Sequence, residues 1–174
     1  MTAVRKVKIP DGVKAQLEGT RLKIEGPKGK LARNVRFPQV TVTVDGKEVT
    51  IATESRRKEI TSMVGTLEAH TKNMIRGVTE GFEYRMKVVY SHFPIQLKVQ
   101  GNKLEIANFL GEKKARSARI ETGVTAKVAN DEVVLTGIDR DLVGNSAANI
   151  EHACHIRDRD PRVFQDGIYM VQRG

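Results

Sequence analysis

The sequence has one cysteine, Cys154, no tryptophan, and aromatic residues at only 5% of its 174 positions. A single thiol cannot close a bridge within the chain, which excludes a disulfide scaffold and fits a reducing compartment. Scarce aromatics argue against a platform for stacking nucleobases. Phe82, Tyr84, Phe93 and Phe109 also fall in strand-like or junction segments, where a core role is expected. No apolar run approaches the length that spans a bilayer. Met1 to Ile9 carries Arg5, Lys6 and Lys8 with no apolar segment behind them, so neither a membrane partner nor a signal peptide is expected, and the address is cytoplasmic.

Catalytic and metal-binding signals are equally thin. His152 and His155 stand at i, i+3 beside Cys154, but a structural zinc site wants four ligands and no second Cys or His cluster is supplied. His70 and His92 are single. The loop GPKGK, Gly26 to Lys30, lacks the spacing of a phosphate-binding GxxxxGKS or GxxxxGKT, and GNSAA at Gly144 is not a nucleophile elbow. The expectation is no catalytic residue, no metal, no cofactor and no small-molecule substrate. An RNA-acting enzyme using Glu151, His152 or His155 as acid–base groups is the rival class, and a general nucleic-acid-binding module is a third.

What the chain does contain is itself, twice. VKAQLEGTRLKIEG from Val13 aligns with IQLKVQGNKLEIAN from Ile95, so that Gly19 falls on Gly101, Leu22 on Leu104, Ile24 on Ile106 and Gly29 on Gly111, all at a spacing of 82. VTVTVDGKEVTI from Val40 lies on VTAKVANDEVVL from Val124 at 84. Ile60, Val64 and Leu67 fall on Val143, Ala147 and Ile150 at 83. Two copies argue for a duplicated domain rather than a solenoid. Each would hold roughly 80 residues, near the lower limit for an independent core.

Within the first copy, alternation marks Val13, Ala15, Leu17 and then Leu22, Ile24 as a hairpin closed at Gly19-Thr20. A second hairpin, Val40, Val42, Val44 and Val49, Ile51, turns at Asp45-Gly46. GPKGK between them is expected as an exposed loop. From Ser55 the period changes to three and four, so Ile60, Met63, Val64, Leu67, Met74, Ile75 and Val78 form the stripe of a helix that stops near Gly77 or Gly81. After a junction from Glu80 to Tyr84, the second copy has strands near Met86 to Tyr90, Ile95 to Val99, Lys103 to Ala107, Ala118 to Glu121, Val124 to Val128 and Glu132 to Leu135. Its helix is capped by Asp139 and turns Leu142, Val143, Ala147, Ile150 and Cys154 inward. The apolar tail residues Val163, Phe164, Ile168, Tyr169 and Met170 are expected to dock. The fold class is α+β: two tandem copies of a small domain, each a mainly antiparallel sheet packed against one helix. Residues 1–82, with a basic N-terminal tail, and 83–174, with a C-terminal tail, are the expected domains.

Charge points to a polyanion. Thirty Lys and Arg oppose 21 Asp and Glu, for a net charge of +9. Up to Phe82 there are 16 basic and 9 acidic residues, and after it 14 and 12, so net charge favours the first half. Clustering favours the second. Lys113, Lys114, Arg116 and Arg119 run on and just past a loop with no acid among them, and Arg157, Arg159 and Arg162 alternate with Asp158 and Asp160 past the second helix. Arg56, Arg57 and Lys58 crowd the first turn of the first helix, against its macrodipole.

Three strings go beyond pattern: GVTEGFEYRMKVVYSHFP from Gly77, NFLGEK from Asn108 and RDPRVFQDGIYM from Arg159. They resemble the archaeal and eukaryotic branch of the sixth protein of the large ribosomal subunit, and the likeness covers nearly the whole chain. The resemblance implies two copies of a small fold and a structural role in which the second domain and tail anchor large-subunit rRNA near the stalk base and the sarcin–ricin loop. Neighbouring ribosomal proteins would be partners, and translation factors are candidates for contact. On that basis the expected rRNA-binding residues are Lys113, Lys114, Arg116, Arg157, Arg159 and Arg162, with Asn149 and His152 on the helix face. Counterion release depends on phosphates neutralised locally, so clustering outranks the net-charge tally.

Overall fold

The computed structural model describes residues 3–160 and 162–174. The chain divides into two compact units, Met1–Gly81 and Phe82–Gly174. All strand pairing is antiparallel.

In the first unit, β1 (Ala3–Lys8), β2 (Lys14–Glu18), β3 (Arg21–Gly26), β4 (Gly29–Asn34), β5 (Thr41–Asp45) and β6 (Glu48–Thr53) precede α1 (Lys58–Thr79). They form two three-stranded sheets, β1-β6-β5 and β2-β3-β4, rather than one. The helix packs on both. The split follows from two strands absent from the periodicity reading. AVRKVK buries only Val7 among exposed cations, so it reads as a basic tail, yet it pairs along its whole length with β6. GKLARN pairs with β3 across a tight Pro27-Lys28 turn, so GPKGK is a hairpin tip and not a free loop. That tip sits on the end of α1. The Lys28 N–H donates to the Val78 carbonyl at 2.9 Å, the Lys28 ammonium donates to the Glu80 carbonyl, and a Cβ on Gly26 would come within 2.7 Å of Val78 Cγ2.

The β5–β6 turn is displaced by one residue from Asp45-Gly46. Asp45 pairs with Glu48, so Gly46 and Lys47 form the loop and Gly46 supplies the left-handed φ of +46°. Helix α1 begins at Lys58, not Ser55, so Arg56 and Arg57 precede its first turn. It stops where Gly81, at φ +76°, returns its N–H to the Arg76 carbonyl. Its buried stripe is Ile60, Val64, Leu67, Met74, Ile75 and Val78 plus Thr71. The Thr71 hydroxyl donates to the Leu67 carbonyl at 2.8 Å, and this lets a polar residue stand on the apolar face.

The second unit repeats the plan. It comprises β7 (Phe82–Val89), β8 (Gln96–Gln100), β9 (Lys103–Ala107), β10 (Arg116–Arg119), β11 (Val124–Ala129), β12 (Glu132–Gly137), α2 (Arg140–Ala153) and β13 (Gly167–Arg173). The sheets run β10-β9-β8 and β11-β12-β7-β13, the first unit's pattern with one added strand. Residues matched by the repeat occupy matching core positions: Leu22 and Leu104, Ile24 and Ile106, and Val49 and Val133 are all fully buried. The segment from Glu80 to Tyr84 is not a linker, since Phe82 and Tyr84 already alternate inward on β7. Asp139 caps α2, its carboxylate accepting from the Asp141 N–H at 2.9 Å. Leu142 is only half-buried, whereas Ser146 is buried and bridges α2 to the segment between β10 and β11 by accepting from the Glu121 N–H.

The tail docks as an edge strand, and its exposed edge is covered by α2. The Met170 N–H donates to Glu151 Oε1 at 3.0 Å, and the Ile168 N–H donates to the Cys154 sulfur. Unpaired strand edges invite further pairing, so these acceptors close a liability. Burial pushes the Cys154 thiol up to about 11.

Candidate nucleic-acid interface

The C-terminal end of α2 collects the basic segments of the second unit, and Arg116 holds them there. Arg116 was expected on a loop; it is the first residue of β10 and is three-quarters buried. Its Nε and Nη2 donate to the two carboxylate oxygens of Glu112 at 2.9 and 2.6 Å. Its Nη1 donates to the carbonyls of Ala153, at 3.0 Å, and His155, at 2.9 Å. The guanidinium lies 4.3 Å from the Phe109 ring centroid. Four of its five N–H donors are therefore engaged within the unit, so Arg116 acts first as a brace. It satisfies carbonyls that the helix end leaves open and pins residues 112–116 beside residues 153–157. The hydrogen bond from Arg116 holds the Glu112 carboxyl below its ordinary range, and the field of Arg159 contributes. Arg159 is therefore close enough for its charge to act on Glu112.

Around this brace the cations face outward. Lys113 and Lys114 are exposed, as are His152, Arg157 and Arg159. Neither lysine, nor Arg157, enters an ion pair among the described residues. Asn149 is half-buried, and its amide donates to the Arg119 carbonyl at 3.1 Å, tying β10 to α2. Arg119 is itself 75% exposed and only loosely paired, 3.7 Å from Glu121; it completes the patch although it was not among the expected ligands. Arg162 is paired with Asp160 at 2.9 and 3.1 Å but remains 88% exposed, so its charge is ordered and partly cancelled. The Asp160 carboxyl is correspondingly lowered by the hydrogen bonds from Arg162.

His92 is not solitary. Its Nδ1 lies 2.7 Å from Asp166 Oδ2, and Ser91 Oγ lies 3.2 Å from the same nitrogen. A nucleophilic relay needs the serine and the carboxylate on opposite ring nitrogens. Here both share Nδ1, so the trio is a structural knot. The His92 ring stacks on Phe164, centroids 4.6 Å apart and planes 16° apart, and the Arg159 guanidinium lies 4.7 Å from the Phe164 ring centroid. The rival acid–base groups Glu151, His152 and His155 line one cavity beside the tail, but their surroundings tie them to structure. His155 lies beyond the helix that ends at Ala153, and Glu151 is occupied by the edge of β13. Among the described residues, no three His, Cys, Asp or Glu side chains converge to hold a metal ion, and no helix is long and apolar enough to cross a membrane.

The family model described as Ribosomal protein L6 matches residues 9–81 and 93–167, one match in each copy of the repeat. The chain belongs to the ribosomal protein L6 family. It is 59% identical over 173 residues to the large ribosomal subunit protein uL6 of Methanospirillum hungatei JF-1, covering 99% of this chain and 98% of that one. It is 50% identical to the uL6 protein of Methanocella arvoryzae, covering 98% and 97% of the two chains, and 49% identical to that of Methanothrix thermoacetophila with the same coverage. The family's second match contains all eight expected ligands from Lys113 to Arg162 as well as Asp166, and it begins one residue after His92.

Two aromatic expectations change. Phe82, Tyr84 and Phe109 are core residues, but Phe93 is 46% exposed and packs beside Gly111. Phe164, half-buried, carries an arginine. Nothing in local sequence pairs Phe164 with His92 or Arg159, since that contact depends on the tail folding back.

Proposed function

We propose that this chain is a structural constituent of the large ribosomal subunit, not an enzyme, and that it grips large-subunit rRNA through the second unit, near the stalk base on the sarcin–ricin loop side. The ligands in this reading are Lys113, Lys114, His152, Arg157 and Arg159 as direct phosphate or sugar contacts, Arg162 as a pre-ordered outer contact, and Asn149 and Arg116 as supports. Neighbouring ribosomal proteins are further partners, and translation factors share the region.

The observation that carries this reading is the brace at Arg116. It uses one cation internally so that two separate cationic segments share one surface, although they lie about 40 residues apart in the chain. Phosphate contacts position a protein on RNA without reading sequence, and a shallow, cation-studded helix end suits the wide minor groove of an A-form duplex and the phosphates beside it. Three of the acids nearby are already occupied: Glu112 by Arg116, Asp160 by Arg162 and Glu151 by the Met170 N–H.

Chemical footprinting of large-subunit rRNA with and without the full chain tests it. The reading expects protection near the stalk base that disappears when Lys113, Lys114 and Arg157 are replaced by alanine. Protection that survives this triple replacement would rule it out.

A further inference from the structure

Asp166 is the only buried charged side chain among the described residues, with its carboxylate 1% exposed. It accepts hydrogen bonds from the Ser91 N–H at 2.9 Å, the Ser91 hydroxyl at 3.2 Å and the His92 N–H at 3.2 Å, and it meets His92 Nδ1 at 2.7 Å. The backbone bonds alone anchor the loop after β7. The bond to the imidazole does something more, because it fixes the plane of the ring on which Phe164 stacks, and Phe164 in turn carries Arg159. Asp158, in the left-handed region at φ +60°, shapes the chain immediately before that arginine.

An exposed arginine can be ordered in two ways, and this unit uses both. Arg162 is held by the carboxylate of Asp160, which fixes its direction and cancels much of its charge. Arg159 is held by an aromatic face, which restricts its rotamers while leaving the positive charge and in-plane N–H donors available. Ordering a cation before it meets its partner removes part of the entropic cost of binding.

We infer that Arg159 is a backbone-phosphate anchor whose position is set by the stack Asp166–His92–Phe164, so that His92 and Asp166 are positioning residues for RNA binding by this face. The inference rests on the reading that the face binds large-subunit rRNA and adds which cation is pre-set and by what.

The test is the affinity of the full chain for transcribed large-subunit rRNA across a salt series, with thermal unfolding measured in parallel. Arg159→Ala is expected to weaken binding roughly tenfold and to lower the log–log salt slope by about 0.7–0.9, one phosphate's worth. His92→Ala is expected to weaken binding by roughly threefold or more, and the double variant to bind no worse than Arg159→Ala alone, because both act through one contact. His92→Phe keeps a flat ring against Phe164 but loses the bond to Asp166. It should therefore lose stability like His92→Ala yet regain part but not all of the affinity, since the ring is present but no longer fixed by the carboxylate, a split that a purely structural role would not produce. Phe164→Leu, which leaves the carboxylate and the Arg159 charge untouched, should weaken binding about as much as His92→Ala with the salt slope unchanged. Additive losses in the double variant, or an Arg159→Ala protein with unchanged affinity and slope, would overturn the inference. If Lys113→Ala with Lys114→Ala weakens binding while Arg159→Ala does not, only this inference fails; if neither does, the reading of the face fails with it.

Discussion

Glu112 and Arg116 form a two-pronged ion pair, 2.6 and 2.9 Å, at the entrance to β10, and the same guanidinium reaches the carbonyls of Ala153 and His155 at the end of α2. One residue thus ends a helix, closes a loop and brings two cationic segments onto one surface.

Arg116→Ala should destabilise the protein by about 2–4 kcal/mol, since it leaves two carbonyls and a carboxylate without their donors. Arg116→Lys keeps the charge but cannot serve four acceptors and an aromatic face at once, so it should recover only part of the loss. Urea unfolding measures both. Affinity for rRNA should fall in Arg116→Lys even where the protein is folded, because Lys113 and Lys114 are no longer pinned.

Acid stability should depend on Asp166. Burial alone would raise this carboxyl, but the hydrogen bonds from Ser91 and His92 together outweigh it and hold the group at about 2, against 3.8 for an unhindered side chain. The folded value is the lower one, so the stabilisation is complete above about pH 4 and is lost as pH falls through about 2. Asp166→Asn should cost about 2 kcal/mol at neutral pH and flatten the stability profile between pH 4 and pH 2, which acid titration by circular dichroism reads directly.

The single thiol should be inert in the folded protein. Cys154 is buried, its pKa is pushed up to about 11, and its sulfur accepts from the Ile168 N–H. Thiol-specific reagents near pH 8 should label it only at the rate of unfolding, reaching the full rate in denaturant. Because the folded value is raised, the stabilisation it reports is present below about pH 9 and declines as pH rises toward 11. Cys154→Ala should cost about 1–2 kcal/mol by uncovering the edge of β13.

Gly26→Ala should destabilise the first unit by about 1–3 kcal/mol, because the added carbon would meet Val78 Cγ2 at 2.7 Å and the Val78 carbonyl at 2.9 Å. Hydrogen exchange should show the loss in residues 26–30 and the last turn of α1, with the amides of the second unit unchanged.

How far these features can be read from sequence depends on the range over which they are made. Leu22, Ile24, Leu104 and Ile106 alternate inside one strand and recur at one spacing, so their burial is legible without coordinates. β4 is not, because none of its residues is fully buried, and β1 hides its one buried valine among cations. At the site, the runs Lys113–Lys114 and Arg157–Arg159 stand out in the sequence. The inward turn of Arg116 does not, since its acceptors lie 37 and 39 residues away. His92 and Asp166, 74 residues apart, look unrelated until the tail folds onto β7.

The salt dependence of rRNA binding by the full chain tests the central claim most directly. Replacing Lys113, Lys114 and Arg157 with alanine should lower the log–log slope by about 2–3 and weaken binding at least a hundredfold at physiological salt, whereas replacing Arg56, Arg57 and Lys58 should leave the slope nearly unchanged. The opposite ranking, with the first unit's cations carrying the slope and the second unit's carrying none, would contradict the account.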